Sequence, residues 1–148
     1  MDTLNQEVGL LTVFVRNLER AREFYTGVLG LQLVEELTYG SIVMLRPVRG
    51  PLIALEFDVA MFTPGADPVG VEIGIAVNNL EAVWQRWQAY GTPVINAPHD
   101  FALGRAFVGK GPEGHRLRVY QLREGFSFVD PEGINRVIAH LGGLVRPS

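Results

Sequence analysis

The chain has 148 residues, enough for one compact domain with a hydrophobic core. It is 47% hydrophobic and 20% charged with a net charge of −3, and no stripe of Lys and Arg indicates a nucleic-acid partner. No apolar run approaches the roughly 20 residues of a membrane span, and no secretory signal is visible. Zero cysteines exclude disulfides and thiolate chemistry, and we expect a cytoplasmic protein.

The chain repeats one strand–helix plan. The first copy runs from a strand-like stretch into Asn17-Leu18-Glu19, then a helical pattern and a glycine, and Asn79-Leu80-Glu81 begins the second copy 62 residues later (79 − 17). An internal repeat of this kind indicates two supersecondary units, each of which needs the other to bury its apolar face. We therefore expect two facing modules.

Module one is expected over residues 8–57. Residues 8–15 alternate as a strand with one buried face, and Asn17 is a typical N-cap for a helix that runs from Leu18 to Leu29 and ends at Gly30. Three more strands are predicted, at 31–37, 42–46 and 52–57.

Residues 58–69 contain two prolines and no clear period, so they are predicted to be the linker. Module two is expected over 70–122, with a helix from Leu80 to Tyr90 on an Asn79 cap. Its strands are predicted at 71–77, 92–96, about 105–109 and 116–121, with a turn at 97–100. The C-terminal extension, 123–148, has no counterpart in module one. Asp130-Pro131 predicts a third helix there, to about His140 before Gly142-Gly143.

Two stretches carry a family resemblance. NLERAREFYTGVLGLQL closely resembles the signature of the vicinal oxygen chelate superfamily, which includes glyoxalase I, bleomycin-resistance proteins and extradiol dioxygenases. GRAFVGKGPEGHRLRVYQ resembles the end of that family's second module, so the similarity covers roughly residues 8–122. The resemblance implies an α+β fold of two βαβββ modules, whose eight strands form a curved cup with helices on its outer faces, here with an extra C-terminal helix. Many relatives are homodimers, so a homodimer is expected.

Metal-dependent relatives place four ligands, usually His, Glu, His and Glu, on the concave face. The resemblance carries these places to Leu10, Glu56, Glu72 and Arg118, and the 62-residue offset pairs Leu10 with Glu72 and Glu56 with Arg118. Side chains two apart share a face of a strand, which assigns all four to the same face. Leu10 cannot coordinate an ion and Arg118 is a permanent cation, so we predict no metal site and no cofactor.

Two carboxylates in a cup without a cation would repel each other, and a guanidinium can offset that repulsion. We therefore predict an ion pair between Glu72 and Arg118, either as structural glue or as part of a polar ligand site. A ligand would meet polar and apolar groups of the cup together. The candidate ligand-binding residues are Phe14, Met44, Glu56, Glu72, Arg105, Arg118 and Tyr120.

Arg105 is included because an arginine of this Gly-Arg pair can reach the pocket in relatives. His99 lies in the predicted turn and could overhang the cup, while the other two histidines are better read as surface or structural residues. Trp84 and Trp87 follow Leu80 at helical spacing and are expected to pack on the sheet.

The favoured function is a metal-independent small-molecule binding protein of the glyoxalase/bleomycin-resistance kind. One alternative is an enzyme, a lyase or isomerase with Glu56 and Glu72 as catalytic acid–base groups, or a dioxygenase-like member. Another is a degenerate module that serves as a protein-interaction scaffold through its sheet and C-terminal helix. A filled cup would favour the scaffold, whereas a cavity would favour ligand binding.

Overall fold

The computed structural model describes residues 6–58 and 70–145, with side chains to residue 142. Its eight strands form one mixed sheet in the order β2-β3-β4-β1-β5-β8-β7-β6. The strands are β1 Glu7–Phe14, β2 Gln32–Leu33, β3 Ile42–Arg46, β4 Leu52–Glu56, β5 Val71–Ala76, β6 Val94–Phe101, β7 Gly104–Lys110 and β8 Arg116–Leu122. The helices are α1 Leu18–Glu23, α2 Leu80–Tyr90 and α3 Pro131–Val145.

The two modules meet at the centre of the sheet within one chain. In each module the first and last strands pair in parallel, β1 with β4 and β5 with β8. The seam between modules is the antiparallel pair β1–β5, in which Thr12 lies opposite Glu72 and Leu10 opposite Gly74. The predicted two-module α+β architecture is confirmed, and its curved sheet is open rather than closed into a barrel.

The first helix forms where the sequence predicts it, on the outer face of module one. The side chain of Asn17 accepts a hydrogen bond from the Arg20 amide at 2.9 Å, and the helix changes into a π-helical turn at Phe24–Val28. The segment ends at Val28, and Gly30 follows its C-cap with a φ of 76°, a conformation that favours glycine. Apolar residues of this segment cover a buried cluster of β3 and β4.

The second helix covers the outer face of module two. Asn79 caps it by accepting from the Ala82 amide at 3.1 Å, and it ends at Gly91. The rings of Trp84 and Trp87 meet the buried ring of Phe107 edge-on, with centroids 5.1 and 5.2 Å apart. The prediction that both tryptophans pack on the sheet is confirmed.

The third helix packs on the inner, concave side of the sheet. Ile134 and Val137 of α3 share one buried cluster with Leu52, Ala106 and Tyr120 of the sheet. Asp130 is the N-cap of this helix, because its carboxylate accepts a hydrogen bond from the Gly133 amide at 3.1 Å. Pro131 occupies the first helical position. The C-terminal extension therefore fills one end of the cup.

Three predicted boundaries are wrong. The strand predicted at 31–37 stops at Leu33 and is followed by a 3₁₀ turn, Glu35–Leu37, that turns Leu37 into the core beside α3. No turn interrupts 97–100, because β6 is an edge strand in which the missing N–H of Pro98 is tolerated. The third helix continues past His140 through both glycines to Val145. The partly buried Leu141 packs against the core and favours this extra turn, against a helix cost of about 1 kcal/mol for each glycine.

Most of the linker predicted at 58–69 lies outside the described residues. None of the helices in the described part of the chain is long and apolar enough to cross a membrane.

Candidate functional site

A cavity of about 250 Å³ opens on the concave face of the sheet. It is bounded by residues from both modules and by two aromatic residues of β6 and the C-terminal extension. The lining residues are Leu10, Thr12, Phe14, Ile42, Met44, Ala54, Glu56, Glu72, Phe101, Arg116, Arg118, Tyr120 and Phe128. The cavity is mostly apolar, with its charged groups contributed by β4, β5 and β8.

The four positions that the resemblance identifies converge on this cavity. Leu10, Glu56, Glu72 and Arg118 all line it, although they come from four different strands. They converge because β4, β1, β5 and β8 are consecutive neighbours in the sheet and side chains two apart share a face. The repeat and the strand alternation agree with the placement that the resemblance implies.

Glu72 is the centre of the charged group. Its side chain is 3% exposed, and its two oxygens accept from the Nε of Arg116 at 2.6 Å and the Nε of Arg118 at 2.7 Å. The predicted ion pair between Glu72 and Arg118 is confirmed, and Glu72 forms a second ion pair with Arg116. Arg116 also lies over the ring of Phe14, with its guanidinium carbon 5.8 Å from the ring centroid. Two contacts therefore orient the guanidinium of Arg116 at the cavity wall, and the hydrogen bond to Glu72 orients that of Arg118.

Glu56 differs from Glu72 because its carboxylate has no hydrogen bond or ion pair with any side chain among residues 6–58 and 70–142. Partial burial raises the pKa of Glu56, and the negative charge of Glu72 raises it further, while Arg118 acts in the opposite direction. Glu56 is thus the cup's carboxyl group that is open to a ligand or a proton.

These donors do not suit the metal ion of the family's metal-dependent members. Leu10 offers no donor atom, and both oxygens of Glu72 are occupied by guanidiniums. Glu56 remains as the single available oxygen ligand of the four places, beside two fixed cations. No group of three or more His, Cys, Asp or Glu residues suitable for an ion occurs in the described residues. A zinc, nickel or iron centre needs three or four such ligands.

The inner end of the cavity is aromatic. Tyr120 is 1% exposed, and its ring lies 5.5 Å from that of Phe128, the residue that leads into α3. The Tyr120 hydroxyl packs against Gly9, where a Cβ would collide with it, and it has no hydrogen-bond partner within the described residues. Burial, followed by the charge of Glu7, raises the pKa of Tyr120 and keeps its phenol neutral.

Arg105 does not reach the cup. In the β7–β8 pair Arg105 lies opposite Gln121 while Ala106 lies opposite Tyr120, so Arg105 points to the other face of the sheet from Tyr120. There it is exposed and pairs with Asp100 at 2.9 Å in a second, more open pocket of about 450 Å³. His99 is exposed on β6 and its ring contacts its own segment at Ala97. The other predicted side chains, Phe14, Met44, Glu56, Glu72, Arg118 and Tyr120, lie together.

Arg116, Phe101 and Phe128 line the cavity but are not among the predicted ligand-binding residues. Arg116 could have been predicted, because it lies two residues from Arg118 and therefore on the same face of β8. Phe101 and Phe128 reach the cavity through contacts distant in sequence, for which neither alternation nor the repeat gives a signal.

A two-module cup with a mostly apolar ligand-sized cavity defines a member of the glyoxalase-like class. The model of the Glyoxalase/Bleomycin resistance protein/Dioxygenase superfamily matches residues 7–119, and the chain belongs to this superfamily. A search of curated proteins found no match.

Solved structures with the same fold are numerous, and three illustrate the range. NAD-dependent benzaldehyde dehydrogenase from Legionella pneumophila is 25% identical, with 80% of this chain and 100% of that chain covered and a TM-score of 0.60. A superfamily member from Vibrio splendidus 12B01 is 22% identical over 80% and 99% of the two chains, with a TM-score of 0.59. Methylmalonyl-CoA epimerase from Mycobacterium tuberculosis is 19% identical over 82% and 91%, with a TM-score of 0.62. The last two likenesses concern the fold alone.

Proposed function

We propose that this protein is a metal-independent small-molecule binding protein of the glyoxalase/bleomycin-resistance kind. Its ligand lies in the cup, with Arg118, Arg116 and Glu56 as polar contacts and Glu72 as the residue that positions both arginines. We further propose that residues 1–148 form one domain that works as a cytoplasmic homodimer.

The observation that carries the proposal is the composition of the cavity wall. Ligand pockets combine a mostly apolar lining with a few convergent polar groups, and this cavity has apolar walls with charged groups from β4, β5 and β8. Its volume of about 250 Å³ suits a small molecule. The scaffold alternative predicts a filled cup, so the open space favours ligand binding.

A thermal-shift screen of small molecules, with and without divalent ions, tests the proposal. A ligand that binds only the folded state increases the free energy of unfolding, by about 2.7 kcal/mol at a concentration 100 times Kd, and so raises the melting temperature. We expect stabilisation by some small molecules that persists in EDTA and is lost in Arg118→Gln. Arg105→Gln, on the outer face of the sheet, serves as the matched control. Stoichiometric, tightly held zinc, nickel or iron would contradict the proposal.

A second candidate is metal-free proton transfer by Glu56, as in a lyase or isomerase. The raised pKa of Glu56 favours it, since a general base works best with a pKa closer to the working pH. Arg118 would stabilise negative charge that develops on the substrate. Glu72 is unsuited to the same work because two guanidiniums occupy its oxygens. The fold also occurs in an epimerase. Turnover that depends on pH and disappears in Glu56→Gln would support this candidate, and a fully active Glu56→Gln variant would exclude it.

A further inference from the structure

The two guanidiniums of the cup have more hydrogen-bonding capacity than Glu72 uses. Both contacts to Glu72 are made by Nε, which leaves the terminal amino groups of Arg116 and Arg118 outside those bonds. The two side chains are 25% and 32% exposed, in contrast to the 3% of Glu72, and both line the cavity. Within the described residues, Glu72 is the ion-pair partner of each. Two cations therefore share one negative charge, and an incoming carboxylate would meet donors that are already oriented.

Glu56, which lines the same cavity from β4, needs a partner of positive charge. Its partly buried carboxylate lacks an ion-pair partner among the described residues, and the charged groups near enough to affect it are Glu72, Arg118, Asp58 and Arg116. A charge removed from water is costly unless it is paired. A ligand that places a cationic or N–H donor against Glu56 would supply the missing partner.

Together the four charged residues are neutral, but the two arginines stand on β8 and the carboxylate of Glu56 stands on β4, with β1 and β5 between them. A purely anionic ligand would satisfy the arginines and face Glu56, whereas a purely cationic ligand would satisfy Glu56 and face the arginines. A ligand with one charge of each sign would pair with both groups. The apolar walls, which include Phe14, Met44 and Phe128, suit an apolar or aromatic body.

We propose that the cup binds small zwitterions with an apolar body, whose carboxylate contacts the terminal amino groups of Arg116 and Arg118 and whose ammonium contacts Glu56. This inference rests on the proposed ligand-binding function and names the ligand class of the same site.

Three probes with the same aromatic body test it. L-phenylalanine carries both charges, 3-phenylpropanoate carries only the negative charge, and 2-phenylethylamine carries only the positive charge. Titration calorimetry of the full chain at pH 7 in EDTA should give L-phenylalanine the lowest Kd, roughly tenfold or more below either single-charge probe, because each added charge pair contributes on the order of 1.5 kcal/mol.

Two variants separate the contacts. Glu56→Gln should remove the advantage of L-phenylalanine over 3-phenylpropanoate. Arg118→Gln should reduce its advantage over 2-phenylethylamine, since Arg116 still contacts the carboxylate. Arg105→Gln should change neither, and circular dichroism checks that each variant is folded. Should Arg118→Gln fail to fold, Glu56→Gln still decides the matter.

The outcomes separate this inference from the proposed function. Single-charge probes that bind as tightly as L-phenylalanine would overturn the zwitterion inference and leave small-molecule binding intact. The same conclusion follows if none of the three probes binds while a broader screen finds another ligand. No ligand in any screen would overturn both.

Discussion

Replacing Glu72 with glutamine tests whether its carboxylate holds the cup together. The side chain is 3% exposed and bonds two guanidiniums at 2.6 and 2.7 Å, so Glu72→Gln leaves two neighbouring cations with no shared anion. Removal of one partner from a fully buried pair costs about 3–5 kcal/mol. Because the arginines are 25% and 32% exposed, water can hydrate them in part, and we expect a loss near the lower end, about 3 kcal/mol.

Urea unfolding at pH 7 measures this loss through the midpoint and the slope m. For a chain of this size the same loss corresponds to a melting temperature lower by roughly 6–12 °C. Glu132→Gln is the matched control, because Glu132 pairs with Arg136 at 3.7 Å while its side chain is 81% exposed. Exposed pairs contribute at most about 1 kcal/mol. A Glu72→Gln variant as stable as Glu132→Gln would refute the central role of the carboxylate.

Three further predictions concern the same cavity. Since the pKa of Glu56 is raised in the folded state, its contribution to stability is fully present below the unfolded pKa and is lost as pH rises through the folded pKa. Urea unfolding from pH 4 to 7 should therefore show that the wild type loses stability relative to Glu56→Gln. Parallel stability curves for the two proteins would contradict the raised pKa. Tyr120→Phe removes a buried hydroxyl without a described partner, so it should leave the free energy of unfolding unchanged or raise it by about 1 kcal/mol, whereas a loss above that would reveal a hidden partner. Gly9→Ala should cost about 1–3 kcal/mol by collision with the same hydroxyl, and Tyr120→Phe should restore part of it in the double variant, as a double-mutant cycle measures.

Strand alternation and the repeat, together with the family resemblance, predicted which side chains of the candidate site share one face. Alternation in β1 assigns Leu10, Thr12 and Phe14 to one face. The repeat relates β1 to β5 and β4 to β8, and the structure places Glu72 and Arg118 on the same cavity. These inferences are reliable because strand parity leaves only two faces to choose between.

Features that depend on contacts between residues distant in sequence could not be predicted from local patterns. The strand through Pro98 depends on its place at the sheet edge, which only the strand order reveals. The position of α3 on the concave side depends on side chains from both modules that receive Ile134 and Val137. The amphipathic pattern of a helix shows that it has an apolar face but does not identify its partner.

The distribution of charge between the modules determines how a ligand would lie. The repeat pairs Leu10 with Glu72 and Glu56 with Arg118, so corresponding positions carry different chemistry in the two modules. Module two supplies both arginines and Glu72, while module one supplies Glu56 from β4, separated from β8 by β1 and β5. A ligand that contacts Glu56 and Arg118 together must therefore cross the β1–β5 seam. Because such a ligand joins the two modules, its binding should stabilise both against unfolding as one cooperative unit.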